Sequence, residues 1–140
     1  MRISVQPSTS PVAIPLYDGG VVMSLPVSSP VVYAARARAD ALIVVLSESG
    51  EAVTRAGGHV LGVPDLSDPI ERQGVWDAMF ALSLAEMQII GWDGIVDEDG
   101  KDLPFKADNI VHLMLDARAA DLYVSQAMAP YRKKETEKNV

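Results

Sequence analysis

The stretch Ile89-Ile90-Gly91-Trp92-Asp93-Gly94-Ile95-Val96-Asp97-Glu98-Asp99-Gly100-Lys101-Asp102-Leu103-Pro104-Phe105 decides how the chain is read. An apolar helical run leads into it, and a Leu-Pro-Phe exit closes it. Asp99-Gly100 is a turn signal, because glycine accepts positive φ and aspartate tolerates it. The pattern predicts a tight β-hairpin, Trp92 to Val96 against Lys101 to Phe105, set between helices. Trp92, Gly94 and Gly100 are its expected structural anchors. The tryptophan is placed at the corner because its ring offers roughly 200 Å² of buriable surface.

Working outward toward the N-terminus, Ser67-Asp68-Pro69 opens a helix, with a capping side chain followed by proline in the first turn. That helix is expected to run over 67–90 and to be central. Ile70, Val75 or Trp76, Met79 or Phe80, Leu82, Leu84, Met87 and Ile90 make it apolar around more than half its circumference. Gly91 stands where a terminating glycine belongs. Residues 47–66, punctuated by Gly50, Gly57, Gly58, Gly62 and Pro64, form a long loop or insert. A helical turn over 51–56 fits within it. A connection of that length is often functional.

Ser28-Ser29-Pro30 starts an earlier helix, rich in alanine, that runs to about Leu46. Tyr33, Ala37, Ala41 and Val44 or Val45 share one face and are its expected core side. The tail Leu42-Ile43-Val44-Val45-Leu46 is apolar all round. A buried helix end is the preferred reading and a strand is the alternative. Before it, Pro11 to Leu16 and Val21 to Leu25 flank Tyr17-Asp18-Gly19-Gly20 and read as a hairpin. Its first strand belongs at a sheet edge, since Pro11 and Pro15 lack a donor N–H.

Toward the C-terminus, a short helix opens at Ala107-Asp108-Asn109 and ends near Ala117. A last helix follows from about Ala119, with Leu122, Tyr123, Gln126 and Ala127 on one side, and Pro130 ends or kinks it. The fold class is therefore α+β: an N-terminal β-hairpin, a helical core around the 67–90 helix, a second short hairpin at 92–105 and C-terminal helices. Residues 1–140 are one domain by length, with 1–10, where Ile3 to Val5 could add a short strand, and 132–140 as flexible ends.

Composition narrows function by exclusion. A formal charge of −7 and a pI of about 4.7 oppose a nucleic-acid partner. The absence of cysteine rules out disulfides and thiol catalysis. No apolar run approaches the roughly 20 residues of a membrane span, and Met1-Arg2-Ile3-Ser4-Val5 does not read as a signal peptide. The expectation is a protein of the host cytoplasm.

The acidic turn invites a metal reading that its spacing refuses. Aligning Gly100 with the glycine of a calcium loop puts Ile95 at the first ligand position and Lys106 at the last. His59 and His112 lack the spacing of a zinc pair. No nucleophile has a neighbouring base, no Gly-x-Ser-x-Gly elbow exists, and Gly57 to Gly62 matches no phosphate-binding pattern. No cofactor, no metal and no catalysis are expected. Met23, Met79, Met87, Met114 and Met128 fit either core filling or an exposed client-binding groove.

The segments Trp92-Asp93-Gly94-Ile95 and Asp97-Glu98-Asp99-Gly100, then Pro104, Tyr131 and Glu137-Lys138-Asn139, resemble in order those of small phage tail assembly chaperones. The resemblance covers the C-terminal third well and the N-terminal unit loosely; the middle departs from it. It implies a non-catalytic protein of a phage, prophage or gene-transfer particle. Such a protein coats the apolar tape-measure protein and hands it to tail-tube subunits. Leu115, Leu122, Tyr123 and Met128 are the expected partner-binding residues, and homo-oligomerisation is a rival use of the same patch. A structural virion component, a small tail or connector protein, is the alternative.

Overall fold

The computed structural model describes residues 1–3, 5–6, 8–48, 64 and 66–130. The fold is α+β, with four α-helices and one three-stranded antiparallel sheet among the described residues. In chain order the elements are β1 (Val12–Pro15), β2 (Val21–Ser24), α1 (Ser29–Glu48), α2 (Pro69–Gln88), β3 (Ile89–Asp93), α3 (Ala107–Leu115) and α4 (Ala117–Ala127).

The first hairpin forms where expected, with Ile14 opposite Val22, and β1 is an edge strand in the order β1-β2-β3. Its turn puts Asp18 and Gly19 at positive φ. Residues Ile3 and Val5 lie outside any strand and are exposed. Helix α2 begins as its sequence dictates. The Asp68 carboxylate accepts from the amides of Ile70 at 2.8 Å and Glu71 at 3.3 Å, with Pro69 in the first turn. Val75, Met79, Leu82, Leu84 and Ala85 are buried, and α2 packs against α1, α3 and α4. One cluster of buried residues includes side chains from all seven elements.

The second hairpin forms in the expected register but is shorter than expected. Helix α2 stops at Gln88, and the β-branched pair Ile89-Ile90 goes straight into a strand. Gly91 is therefore a strand residue, not a helix terminator. Trp92 pairs with Val22 of β2, and Asp93 with Val21. What remains of the expected hairpin is a tight turn: one bridge, Val96 to Asp102, with backbone bonds from Asp97 to Lys101 and from Leu103 to Ile95. The chain leaves extended geometry at Gly94, at φ +69°, so Trp92 and Asp93 stay with β2 and only the far end of the expected ladder forms.

The core side of α1 is also corrected. Val32, Ala35, Ala39, Ile43 and Leu46 are buried, whereas Tyr33, Ala37, Ala41, Val44 and Val45 are exposed. The segment 42–46 is helical, as preferred, but not buried all round. At about 100° per residue the two stripes lie on opposite sides of the helix. Both are apolar, so periodicity could not choose between them.

Helices α3 and α4 meet at Asp116, which accepts from the Ala119 amide at 2.9 Å and caps α4. The helical turn expected over 51–56, most of the 47–66 connection and the 132–140 end lie outside the described residues.

Candidate partner-binding surfaces

The expected site residues separate once folded. Tyr123 is fully enclosed and Met128 nearly so, while Leu115 and Leu122 are partly buried. The proposed patch on the last helices is corrected accordingly: Tyr123 and Met128 are core. They face inward because α4 lies against the hairpin. The Tyr123 hydroxyl is 2.9 Å from that of buried Ser24, and Gln126 donates to the Pro15 carbonyl at 2.9 Å. Burial pushes the Tyr123 phenol up to about 12. The Tyr17 hydroxyl donates to Asp116, with the Arg118 guanidinium 4.6 Å from the Tyr17 ring centre. That bond raises the Tyr17 phenol and is the main cause lowering the Asp116 carboxyl. These polar groups tie helix to sheet, and none has the nucleophile-and-base geometry of a catalytic centre.

Trp92 is half-buried. Its indole donates to the Leu103 carbonyl at 2.7 Å and meets Phe105 edge-on at 5.1 Å between ring centres. It thus holds the 94–105 loop onto the sheet. Gly94 has φ +69°, and a Cβ there would stand 2.4 Å from the Gly19 carbonyl oxygen. This glycine lets the β1–β2 turn and the end of β3 touch. Gly100, at φ +80°, completes the acidic turn.

Asp97 turns its carboxylate inward on that turn. Its Oδ1 accepts from the amides of Asp99 at 2.9 Å and Lys101 at 3.0 Å. Among the described residues no group of three or more His, Cys, Asp or Glu could hold a metal ion. His112 is exposed, and His59 lies outside the described residues. No helix among the described residues is long and apolar enough to cross a membrane.

Among the described residues two apolar surfaces stand out. The first is the outer stripe of α1, where Tyr33 is 63% and Val44 51% exposed. It is flanked by Arg38, ion-paired to Glu86 at 3.0 Å, and Asp40, which accepts from the Trp76 indole at 2.7 Å. These contacts fasten α1 to α2 at the flanks and leave the stripe open. The second is the outer face of the sheet, where Ala13, Met23 and Gly91 form one cross-strand row and Pro15, Val21 and Asp93 the next. The methionines divide accordingly: Met79, Met114 and Met128 fill the core, and Met23 lies outside. The strands that form the sheet face are near-continuous apolar runs in the sequence.

Compared with protein-family models, curated proteins and solved structures, the chain matches none.

Proposed function

We propose that this protein is a non-catalytic assembly chaperone of a phage-like tail, binding the tape-measure protein before it is built into the tube. The observation that carries the reading is α1, whose outward stripe Tyr33, Ala37, Ala41, Val44 and Val45 is as apolar as its buried one. An open apolar stripe of about three and a half turns on an acidic body suits an apolar, helix-prone client. The resemblance around Trp92 to Gly100 and at Glu137-Lys138-Asn139 supplies the identity of that client and of the receiving tail-tube subunits. The setting is the host cytoplasm, where tails assemble.

Co-expression with the cognate tape-measure protein tests this. A soluble complex is expected, and it should be lost with Tyr33→Asp or Val44→Asp in a chain whose circular dichroism is unchanged. Mass spectrometry of purified particles supplies the other arm. If the tape-measure protein stays insoluble and this chain is found in finished particles, it is a structural virion component instead.

A further inference from the structure

Three Asp-Gly pairs stand in the sequence: Asp18-Gly19, Asp93-Gly94 and Asp99-Gly100. In each, the glycine has positive φ, at +83°, +69° and +80°. Glycine carries no Cβ to shield its amide, so its nitrogen reaches the carboxyl of the preceding residue more readily than any other. The fold treats the three amides differently.

At Asp99-Gly100 the amide is engaged elsewhere. Gly100 donates to the Asp97 carbonyl at 3.0 Å, and the Asp97 carboxylate accepts from the amides on either side, Asp99 at 2.9 Å and Lys101 at 3.0 Å. At Asp18-Gly19 the turn is closed by the Gly20 amide on the Tyr17 carbonyl at 3.1 Å. Among the described hydrogen bonds none joins the Gly19 amide to the Asp18 carboxylate.

Asp93-Gly94 is the exception. The Gly94 nitrogen lies 3.0 Å from Asp93 Oδ1, and among the described residues no backbone carbonyl competes for it. The nitrogen is thus held against the carboxyl carbon to which Oδ1 is bonded, the arrangement of a near-attack conformer. Both residues are exposed, so water reaches the carboxyl.

We infer that Asp93-Gly94 is a self-modification site, where the chain converts Asp93 to isoaspartate through a succinimide. The Gly94 nitrogen bonds to Asp93 Cγ. Its proton and one from solvent leave with a carboxyl oxygen as water, and the ring closes. Water then opens it. Breaking the new N–Cγ bond restores aspartate. Breaking the bond to the original main-chain carbonyl carbon leaves the chain running through Cγ, as isoaspartate. Nothing is oxidised or reduced, and the water lost is regained.

The product lengthens the main chain by one methylene at the end of β3. Asp93 pairs with Val21 there, and Gly94 approaches Gly19 so closely that a Cβ would stand 2.4 Å from the Gly19 oxygen. A longer chain cannot keep both contacts, so the modification loosens the junction between the sheet and the 94–105 loop. This chemistry needs no partner and is independent of the client proposed for α1.

Ageing of the full chain tests it. Folded protein is held at physiological temperature and near-neutral pH, then digested. Isoaspartate is located by electron-transfer fragmentation and quantified by enzymatic methylation. It should accumulate at Asp93 at least about fivefold faster than at Asp99, the factor that one backbone hydrogen bond is worth. An intermediate lighter by one water should appear at the same position. In denaturant the three pairs should react at similar rates, so that folding slows Asp99 and leaves Asp93 fast. Asp97→Ala, which removes the carboxylate fastening the acidic turn, should bring Asp99 up toward its denatured rate. Asp93→Glu, whose longer arm closes a ring far more slowly, should remove the product in a chain of unchanged circular dichroism. The isolated isoaspartate form should melt below fresh protein and exchange its amides faster over 94–105. A folded chain that ages no faster at Asp93 than at Asp18 or Asp99, or that folding slows as much at Asp93 as at Asp99, would overturn the inference. An isoaspartate form that melts like fresh protein would overturn the loosened junction.

Discussion

The hydroxyls of Tyr123 and Ser24 meet at 2.9 Å, in a place where both residues are at most 1% exposed. This one bond joins the last described helix to the first hairpin, across most of the chain. Removing one partner strands the other without water. Tyr123→Phe should therefore cost about 1–2 kcal/mol. Ser24→Ala should cost a similar amount, and the double variant less than their sum. Denaturant melts of the four chains measure the coupling, and additive losses would show that the bond contributes nothing.

The same burial sets an alkaline limit. The folded-state Tyr123 phenol lies at about 12 against an ordinary 10.0, so the fold favours the neutral form. Its contribution is complete below pH 10 and is lost as pH rises toward about 12. Asp116 acts in the opposite sense. Its carboxyl is lowered, chiefly by the bond from Tyr17, so its contribution is present above the unfolded-state value and disappears as pH falls through the folded one. Melting temperature against pH should fall at both ends. Tyr123→Phe should flatten the alkaline limb, and Asp116→Asn the acid one.

Two glycines of similar sequence setting should respond oppositely to alanine. Gly94→Ala meets the Gly19 carbonyl and a disfavoured φ together, and should cost about 2 kcal/mol or more. Gly91→Ala meets nothing and should be neutral, or stabilise by up to about 1 kcal/mol. Equal effects at the two positions would refute the contact between the turn and the strand end.

Trp92 separates hydrogen bonding from packing. Trp92→Phe retains an aromatic ring against Phe105 and loses the bond to Leu103, at a cost of about 1 kcal/mol. Trp92→Ala loses both, and should cost about 2–3 kcal/mol, below the figure for a fully enclosed tryptophan. Amide exchange should show the excess opening in residues 94–105 and not in α2.

Ser83 is a buried hydroxyl on α2 with no hydrogen-bond partner among the described residues. Ser83→Ala should leave stability unchanged or raise it by up to about 1 kcal/mol, measured by thermal melt. A clear loss would mean that the hydroxyl is satisfied in solution.

The features legible in sequence are those whose cause is local. Asp68 and Pro69 announce α2 within one turn, and Tyr17 to Gly20 announces the first hairpin within a few residues. Three features had distant causes. Residues 89–93 read locally as a helix end and the start of a hairpin, but they pair with β2, far earlier in the chain. The two faces of α1 are equally apolar, and only the position of α2 decides which is covered. Tyr123 reads as a plausible surface anchor until Ser24 is brought to its hydroxyl. Of the candidate surfaces, the α1 stripe is legible as a stripe, but which side of the helix is covered is not, and the sheet face is not legible because β3 is distant in sequence from β1 and β2.

The strand order β1-β2-β3 has a consequence for synthesis. Strand β2 emerges from the ribosome with its first neighbour, but its second lies at residues 89–93, beyond both long helices. A two-stranded ribbon is at best marginal alone. The N-terminal hairpin therefore waits, unclosed, until α1 and α2 have been made, and its apolar strands are exposed to other nascent chains in that interval. Prolines 11 and 15 flank β1, the opposite edge of that ribbon, which stays open in the finished sheet. They remove two of its donors, so one side of the growing hairpin resists premature pairing while the β2 side waits for residues 89–93.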